Sequence, residues 1–145
     1  TEVAFHFGAQ DKIAYTCRLL RKAVGSGAQV VVVAPPSTIA QLDTALWGVG
    51  AADFVPHCLA SASASLLRHS PVILTSQVQT VAALENPVLV QLCHPVPQSV
   101  QAFARVIEVV SLDEEDRAEA RSRWKAYAAW GVPIQKHDLA LKESR

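Results

Sequence analysis

Cysteine and histidine form two adjacent pairs in this sequence, His57-Cys58 and Cys93-His94. Together the pairs contain a Cys2His2 donor set, which is a common set of ligands for tetrahedral zinc. Zinc ligands are normally separated by about two to four residues, however, and adjacent residues rarely ligate one ion. A Cys/His nucleophile pair would also need a third, orienting residue, and none is evident. The sequence therefore favours buried thiols and hydrogen-bonded imidazoles, and we expect no metal and no catalytic residues.

The turn after the first predicted strand is where many α/β proteins bind a nucleotide. Here it reads Phe7-Gly8-Ala9-Gln10-Asp11 and contains one glycine. It lacks the G-x-G-x-x-G pattern, and G-x-x-x-x-G-K-[ST] occurs nowhere in the chain. We therefore expect no cofactor. A small nucleotide-dependent enzyme that uses the Gly8 turn is the alternative function.

Basic and aromatic residues with helical spacing are the remaining candidates for a binding site. Arg117 and Arg121 are four positions apart, so they lie on one side of a helix, and Trp124 follows one turn later. With Trp47 nearby, they would form a basic rim beside an aromatic pocket. Such a site suits a short peptide that ends in an apolar residue and a free carboxylate. A solvated helix face, with the arginines paired to neighbouring glutamates, explains the same pattern.

Hydrophobic patterning predicts the elements that would position these residues. The continuous β-branched run at 30–34 is typical of a parallel strand buried on both faces. Apolar residues at helical spacing predict helices on either side of it, over 11–24 and 37–47. We expect one α/β domain over 1–145, with a largely parallel central sheet and helices on both faces. Residues 60–70 are predicted to be a loop and about 134–145 a frayed C-terminal tail, and further strands are predicted at 3–7, 71–75, 87–92 and 106–110.

The last predicted helix has the clearest local signals. Ser111 and Glu114 match the capping box S-x-x-E, which predicts a helix start. Acidic residues fill its first turn, where the helix dipole favours negative charge, and its basic residues follow farther from that positive end. Helical spacing predicts a packing face of Ala120, Trp124, Tyr127 and Ala128.

The charge balance limits what the protein binds directly. The 145 residues include 13 basic and 13 acidic side chains, so the formal net charge is zero. Proteins that grip DNA usually carry a clustered basic excess, so direct DNA binding is disfavoured. No apolar run approaches the ~18 residues of a membrane span. Three cysteines at unrelated spacings are typical of reduced thiols, and we expect a cytoplasmic protein.

Two stretches of the chain resemble a known family. The first, Leu42–Leu59, contains LDTALW followed by FVPH, and the second, 121–127, reads RSRWKAY. In both, the chain resembles the chi subunit of the bacterial DNA polymerase III holoenzyme, an accessory protein of its clamp loader. The motifs cover 42–59 and 117–131, and the rest of the chain matches only in the order of its elements.

The resemblance implies a Rossmann-like fold with no nucleotide binding and no catalysis of its own. It implies an adaptor with two protein partners, and contact with DNA only through the second of them. The first partner is psi, a small clamp-loader subunit. It would bind a surface of this chain that includes Phe54 and Val55. The second is the acidic C-terminal tail of single-stranded DNA-binding protein, which ends in an apolar residue with a free carboxylate.

For that tail, the resemblance implies a site with an aromatic wall, an apolar floor and two basic residues. The first basic position is often lysine in the family, so Arg117 keeps the charge. Trp124 stands where tyrosine is expected, so packing is kept and one hydroxyl is lost. The implied residues are Trp47, Val110, Arg117, Arg121 and Trp124.

Overall fold

Seven strands and four helices form the part of the chain that the structure describes, which is residues 1–48, 55–77, 87–92 and 103–139. The structure is a computed structural model. No helix among these residues is both long and apolar enough to span a membrane. The strands are β1 (Glu2–Ala9), β2 (Val30–Val33), β3 (Cys58–Leu59), β4 (Val72–Thr75), β5 (Val88–Gln91), β6 (Arg105–Ser111) and β7 (Ile134–Asp138). The helices are α1 (Lys12–Gly25), α2 (Pro36–Trp47), α3 (Ala64–His69) and α4 (Glu114–Ala129).

The strands form one sheet in the order β3-β4-β2-β5-β6-β1-β7, and every recorded pairing is parallel. The predicted α/β fold with a parallel central sheet is therefore confirmed. Its centre is β2, whose four valines are all fully buried. This burial on both faces explains why the run has no polar alternation.

Alternate residues of β2 mark the two faces of the sheet, because successive strand side chains point in opposite directions. Val30 and Val32 pack in the cluster that contains the buried residues of α1 and α2. Val31 and Val33 pack with Ala120 and Tyr127 of α4. We call the side with α1 and α2 the front face and the side with α4 the back face.

Two segments are more regular than their composition predicts. The predicted tail from residue 134 instead begins with β7, which pairs in parallel with β1 at the edge of the sheet. An edge strand needs only one hydrogen-bonded neighbour, so polar residues such as Gln135 and Lys136 are tolerated there. The predicted loop at 60–70 contains α3, which is capped by the Ser63 hydroxyl bonding to Leu66 N at 3.3 Å.

The start of α4 differs from the predicted capping box. Asp113 is the N-cap, and its carboxylate accepts from Asp116 N at 3.3 Å. Ser111, the predicted cap, is instead the last residue of β6. Its N–H and its hydroxyl both donate to Asp116 Oδ2, each at 2.8 Å. Lys12 Nζ reaches the same oxygen at 2.9 Å. Asp116 therefore ties β6 and α4 to the first turn of α1.

A buried ion pair holds α4 to the back face. Arg123, 5% exposed, donates from Nε to Glu108 Oε1 at 2.8 Å. The Tyr127 hydroxyl donates to Glu108 Oε2 at 2.7 Å, and Gln91 Nε2 donates to the same oxygen at 3.4 Å. Burial raises the pKa of Glu108, and Arg123 and these hydrogen bonds partly offset that rise. The predicted packing face of α4 is therefore incomplete, because it omits Arg123, and it is wrong for Ala128, which is exposed.

Candidate functional site

A pocket of about 420 Å³ opens on the back face between α4 and the edge of the sheet. We call it the back-face pocket. The strands β1, β6 and β7 supply its floor, and α4 supplies its wall. Its lining residues are Phe5, Phe7, Val110, Arg117, Ala120, Arg121, Trp124, Lys125 and Lys136. Four of the five residues that the resemblance implied for a tail site thus lie together.

Trp124 forms the aromatic wall of this pocket. Its ring centroid lies 4.8 Å from that of Phe5, with the planes tilted by 46°. Lys136 Nζ lies 5.2 Å from the Trp124 ring centroid, within the range of a cation–π interaction. Trp124 is therefore positioned by contacts with Phe5 in β1 and with Lys136 in the edge strand β7.

Four cations and no carboxylate are among the described residues that line the back-face pocket. Among the described residues, Arg121, Lys125 and Lys136 take part in no ion pair. Arg117 bonds to Glu114 at 3.4 Å, with half of the Arg117 side chain and 82% of the Glu114 side chain exposed. An exposed pair of this kind contributes little. Pairing of the arginines with neighbouring glutamates therefore accounts for Arg117 alone, and the charged side chains of the described lining are all cationic.

Sequence reasoning missed Lys125 and Lys136 in this pocket. Lys125 lies four residues after Arg121, so helical spacing alone could have placed it on the same side of α4. Lys136 gave no such signal, because its segment was expected to be a tail. In the sheet, Lys136 is the register partner of Phe5, and both side chains point to the back face.

Trp47 does not line the back-face pocket. It is the last residue of α2, which packs on the front face, whereas the pocket lies against α4 on the back face. The Trp47 side chain is 63% exposed, and its ring centroid is 5.7 Å from that of His57. Motif order alone could not reveal this, because the two helices lie on opposite sides of the sheet. The structure thus separates Trp47 from the arginines that the sequence grouped with it.

In the motif that contains Trp47, the residues that follow α2 are instead hydrogen-bonded back to the end of that helix. His57 Nε2 bonds to Asp43 Oδ1 at 2.8 Å, and His57 Nδ1 bonds to the Val55 carbonyl at 2.6 Å. Val55 N donates to the Leu46 carbonyl at 2.9 Å, and the Val55 side chain is only 1% exposed. Val55, which was expected at a partner surface, therefore lies in the core, whereas Phe54 lies outside the described residues.

The positions that suggested other chemistry have structural explanations wherever the structure describes them. Asp11 caps α1 by accepting from Ala14 N at 3.0 Å, so a carboxylate already occupies the helix N-terminus that would hold a phosphate. Across the described ranges, no three His, Cys, Asp or Glu side chains cluster as metal ligands would. Cys58 is buried, and the Cys93-His94 pair lies outside those ranges.

Two comparisons relate the chain to known proteins. The family described as DNA polymerase III chi subunit, HolC, matches residues 1–135. The DNA polymerase III subunit chi of Pseudomonas aeruginosa is 31% identical over 129 residues, which cover 88% of this chain and 87% of that protein. The match extends well beyond the two short motifs and includes every described strand up to the start of β7.

Proposed function

Because the chain belongs to the DNA polymerase III chi subunit family, we propose that it is a non-catalytic adaptor of the cytoplasmic replication machinery. In this proposal it joins the clamp loader through psi and captures the C-terminal tail of single-stranded DNA-binding protein. The chain has no net charge, so a protein already on the DNA provides its route to the template.

The back-face pocket is the observation that supports tail binding best. A terminal carboxylate is a planar anion, and the Arg121 guanidinium can offer it two parallel donors. The adjacent apolar side chain of the tail would pack against Trp124 and Val110. Acidic residues farther from the terminus would meet the outer cations, Arg117, Lys125 and Lys136.

A second surface, for psi, is proposed at the end of α2. Trp47 is exposed there, and Leu59 in the following strand is 42% exposed. Phe54 immediately precedes Val55, whose side chain is buried and would lie beneath this surface. Exposed aromatic side chains are frequent anchors in protein interfaces. Because this surface is on the front face, both partners could bind at once.

Titration with two versions of one acidic peptide tests the proposed tail site. One version ends in an apolar residue with a free carboxylate, and the other has the same sequence with a C-terminal amide. We expect the amide to bind at least tenfold more weakly, because it removes the charge that Arg121 pairs with. Equal binding of the two peptides would remove the basis of the proposal.

Replacing Trp124 and replacing Trp47 should each weaken the binding of a different partner. We expect Trp124→Ala to weaken tail binding by about 1–2 kcal/mol at any salt concentration, because packing is not screened. Trp47→Ala should leave the tail affinity unchanged and weaken psi binding. Titrations of both variants with the free-carboxylate peptide and with psi measure this. A loss of tail affinity in Trp47→Ala would place Trp47 in the tail site after all.

Arg117→Ala should behave as the loss of an outer charge. We expect tail binding to weaken by about 0.5–1 kcal/mol at low salt, since Arg117 is half exposed and already paired with Glu114. The difference should vanish near 1 M salt, where the Debye length is ~3 Å. The check is a titration across a salt series, with Glu114→Gln as a matched control that should slightly strengthen binding. An effect independent of salt would show direct packing instead.

A further inference from the structure

A second, larger pocket lies on the front face and is separate from both proposed partner surfaces. Its volume is about 600 Å³, and it runs between α1 and the strands β6, β1 and β7. His6 and His137 lie in its floor and are register partners in β1 and β7. The neighbouring residues in those strands, Phe5 and Lys136, point into the back-face pocket. The sheet therefore separates the two sites. We call this second site the front-face groove.

The groove has the length of a short peptide. Its wall extends from Tyr15 in α1 to Ser26, the C-cap of that helix, which corresponds to roughly 16 Å at ~1.5 Å per residue. An extended peptide of about five residues covers that distance at ~3.3 Å per residue. The apolar part of the lining includes Leu19, Val88 and Ile107, which can pack against alternate side chains of such a peptide.

Among the described residues, the charged side chains that line the groove are all cationic. Arg18, Lys22 and Arg105 line it and are exposed, and no aspartate or glutamate is among its lining residues. Within the described ranges, none of these three cations is in an ion pair. Arg18 and Lys22 are one turn apart on α1, and Arg105 begins β6 on the opposite side. The cations are thus distributed along the groove, as an anionic chain requires.

The floor of the groove adds polar groups to this arrangement. The His6 and His137 ring centroids are 4.7 Å apart, and the Tyr15 hydroxyl is hydrogen-bonded to His6 Nδ1. The Arg18 guanidinium lies 5.8 Å from the centre of the Tyr15 ring. Parallel strands usually carry apolar side chains beneath a covering helix. The half-buried His6 and His137 side chains therefore indicate that this part of the front face contacts polar groups of a ligand.

We propose that the front-face groove binds an acidic, partly apolar peptide segment of a partner protein. The segment lies along α1, with its carboxylates against Arg18, Lys22 and Arg105 and its apolar side chains on the floor. Because the cations are spread along the groove, recognition needs no free C-terminus, which distinguishes it from the proposed tail site. The inference is independent of that site.

A peptide library tests this proposal if its members have no free C-terminus. Random peptides fused through their C-terminal ends to a phage coat protein meet that condition, and they cannot use a carboxylate-dependent site. We expect selection on the full chain to enrich acidic sequences with interspersed apolar residues. An enriched peptide, synthesised as its C-terminal amide, should shift the NMR signals of the His6 and His137 rings.

Charge variants then locate the binding site. Arg18→Glu combined with Lys22→Glu should weaken the amidated peptide at least tenfold. Arg21→Glu, on α1 outside the groove lining, and Arg121→Ala, in the back-face pocket, should leave its affinity within about twofold. If the double reversal does not fold, Arg18→Gln with Lys22→Gln tests the same contacts, with an expected weakening of at least threefold.

Three results would overturn the proposal. One is selection without an acidic consensus. Another is an enriched peptide that loses binding in Arg121→Ala but keeps it in the α1 variants. The third is inorganic phosphate alone shifting the same histidine signals and displacing the peptide at equal concentration, which would assign the groove to small anions.

Discussion

Replacing Arg123 with alanine should lower the free energy of unfolding by about 3–5 kcal/mol at pH 7. The guanidinium is buried against Glu108 at 2.8 Å, and removing one partner of a buried ion pair leaves the other charge uncompensated. Urea denaturation measures the change. Arg121→Ala is the matched control, because Arg121 lies two residues away on the same helix but is exposed, and it should change stability by less than ~0.5 kcal/mol.

The pH dependence of this variant identifies the cause. Burial raises the pKa of Glu108 above its ordinary value of 4.5, and Arg123 opposes that rise. A carboxyl with a raised folded-state pKa contributes stability below its unfolded pKa, and that contribution is lost as the pH rises through the folded pKa. Without Arg123 the pKa of Glu108 rises further, so more stability is lost on going to pH 7.

The destabilisation by Arg123→Ala should therefore be smaller at pH 5 than at pH 7, because Glu108 takes up a proton. Adding Glu108→Gln to Arg123→Ala should recover part of the loss at pH 7 and flatten the pH dependence. An identical loss at both pH values would mean that missing packing volume, rather than an unpaired carboxylate, causes the destabilisation.

Arg121→Ala should weaken tail binding by about 2 kcal/mol or more, which is roughly a 30-fold increase in Kd. The change should appear mainly as faster dissociation, because Arg121 is proposed to hold the terminal carboxylate directly. Folding and psi binding should be unaffected, since the side chain is exposed and lies on the face opposite Trp47. Surface plasmon resonance with immobilised tail peptide measures both rate constants.

A double-mutant cycle isolates the contact between Arg121 and the carboxylate. Wild type and Arg121→Ala are each titrated with the free-carboxylate peptide and with its amide. The effect of Arg121→Ala should nearly disappear for the amide, because the partner charge is already absent. Arg121→Lys should lie in between, since lysine keeps the charge but loses the paired donors. Equal effects on the two peptides would mean that Arg121 does not contact the carboxylate.

The central strands were predictable because burial leaves a strong local pattern. Four consecutive valines in β2 required apolar surroundings on both sides, and the structure provides them. The strand β7 was not predictable in this way, because its residues are half polar and its stability comes from pairing with β1. Arg123 was not included in the predicted packing face of α4, although it lies three residues after Ala120. A charged residue can occupy that buried position because Glu108 in β6 compensates its charge.

From residue spacing alone, the candidate site was predictable only where it lies on a single helix, and Val110 in β6 came from the family resemblance. Arg117, Arg121 and Trp124 follow from the spacing of α4, whereas Lys136 comes from a distant strand. The position of Trp47 depended on which face of the sheet each helix covers. That assignment is set by strand order, and the order of motifs along the chain does not contain it.

The pairing of β1 with β7 has a consequence for how the protein folds. Val3 is the register partner of Ile134, so this edge of the sheet joins residues from opposite ends of the sequence. Closing so long a loop costs chain entropy before any contact compensates it, which makes such pairings late and slow. The back-face pocket takes Phe5 from one strand and Lys136 from the other, so it is complete only after that step. We therefore expect a folding intermediate that lacks this pairing to expose the hydrophobic edge of β1 and to have no tail-binding activity.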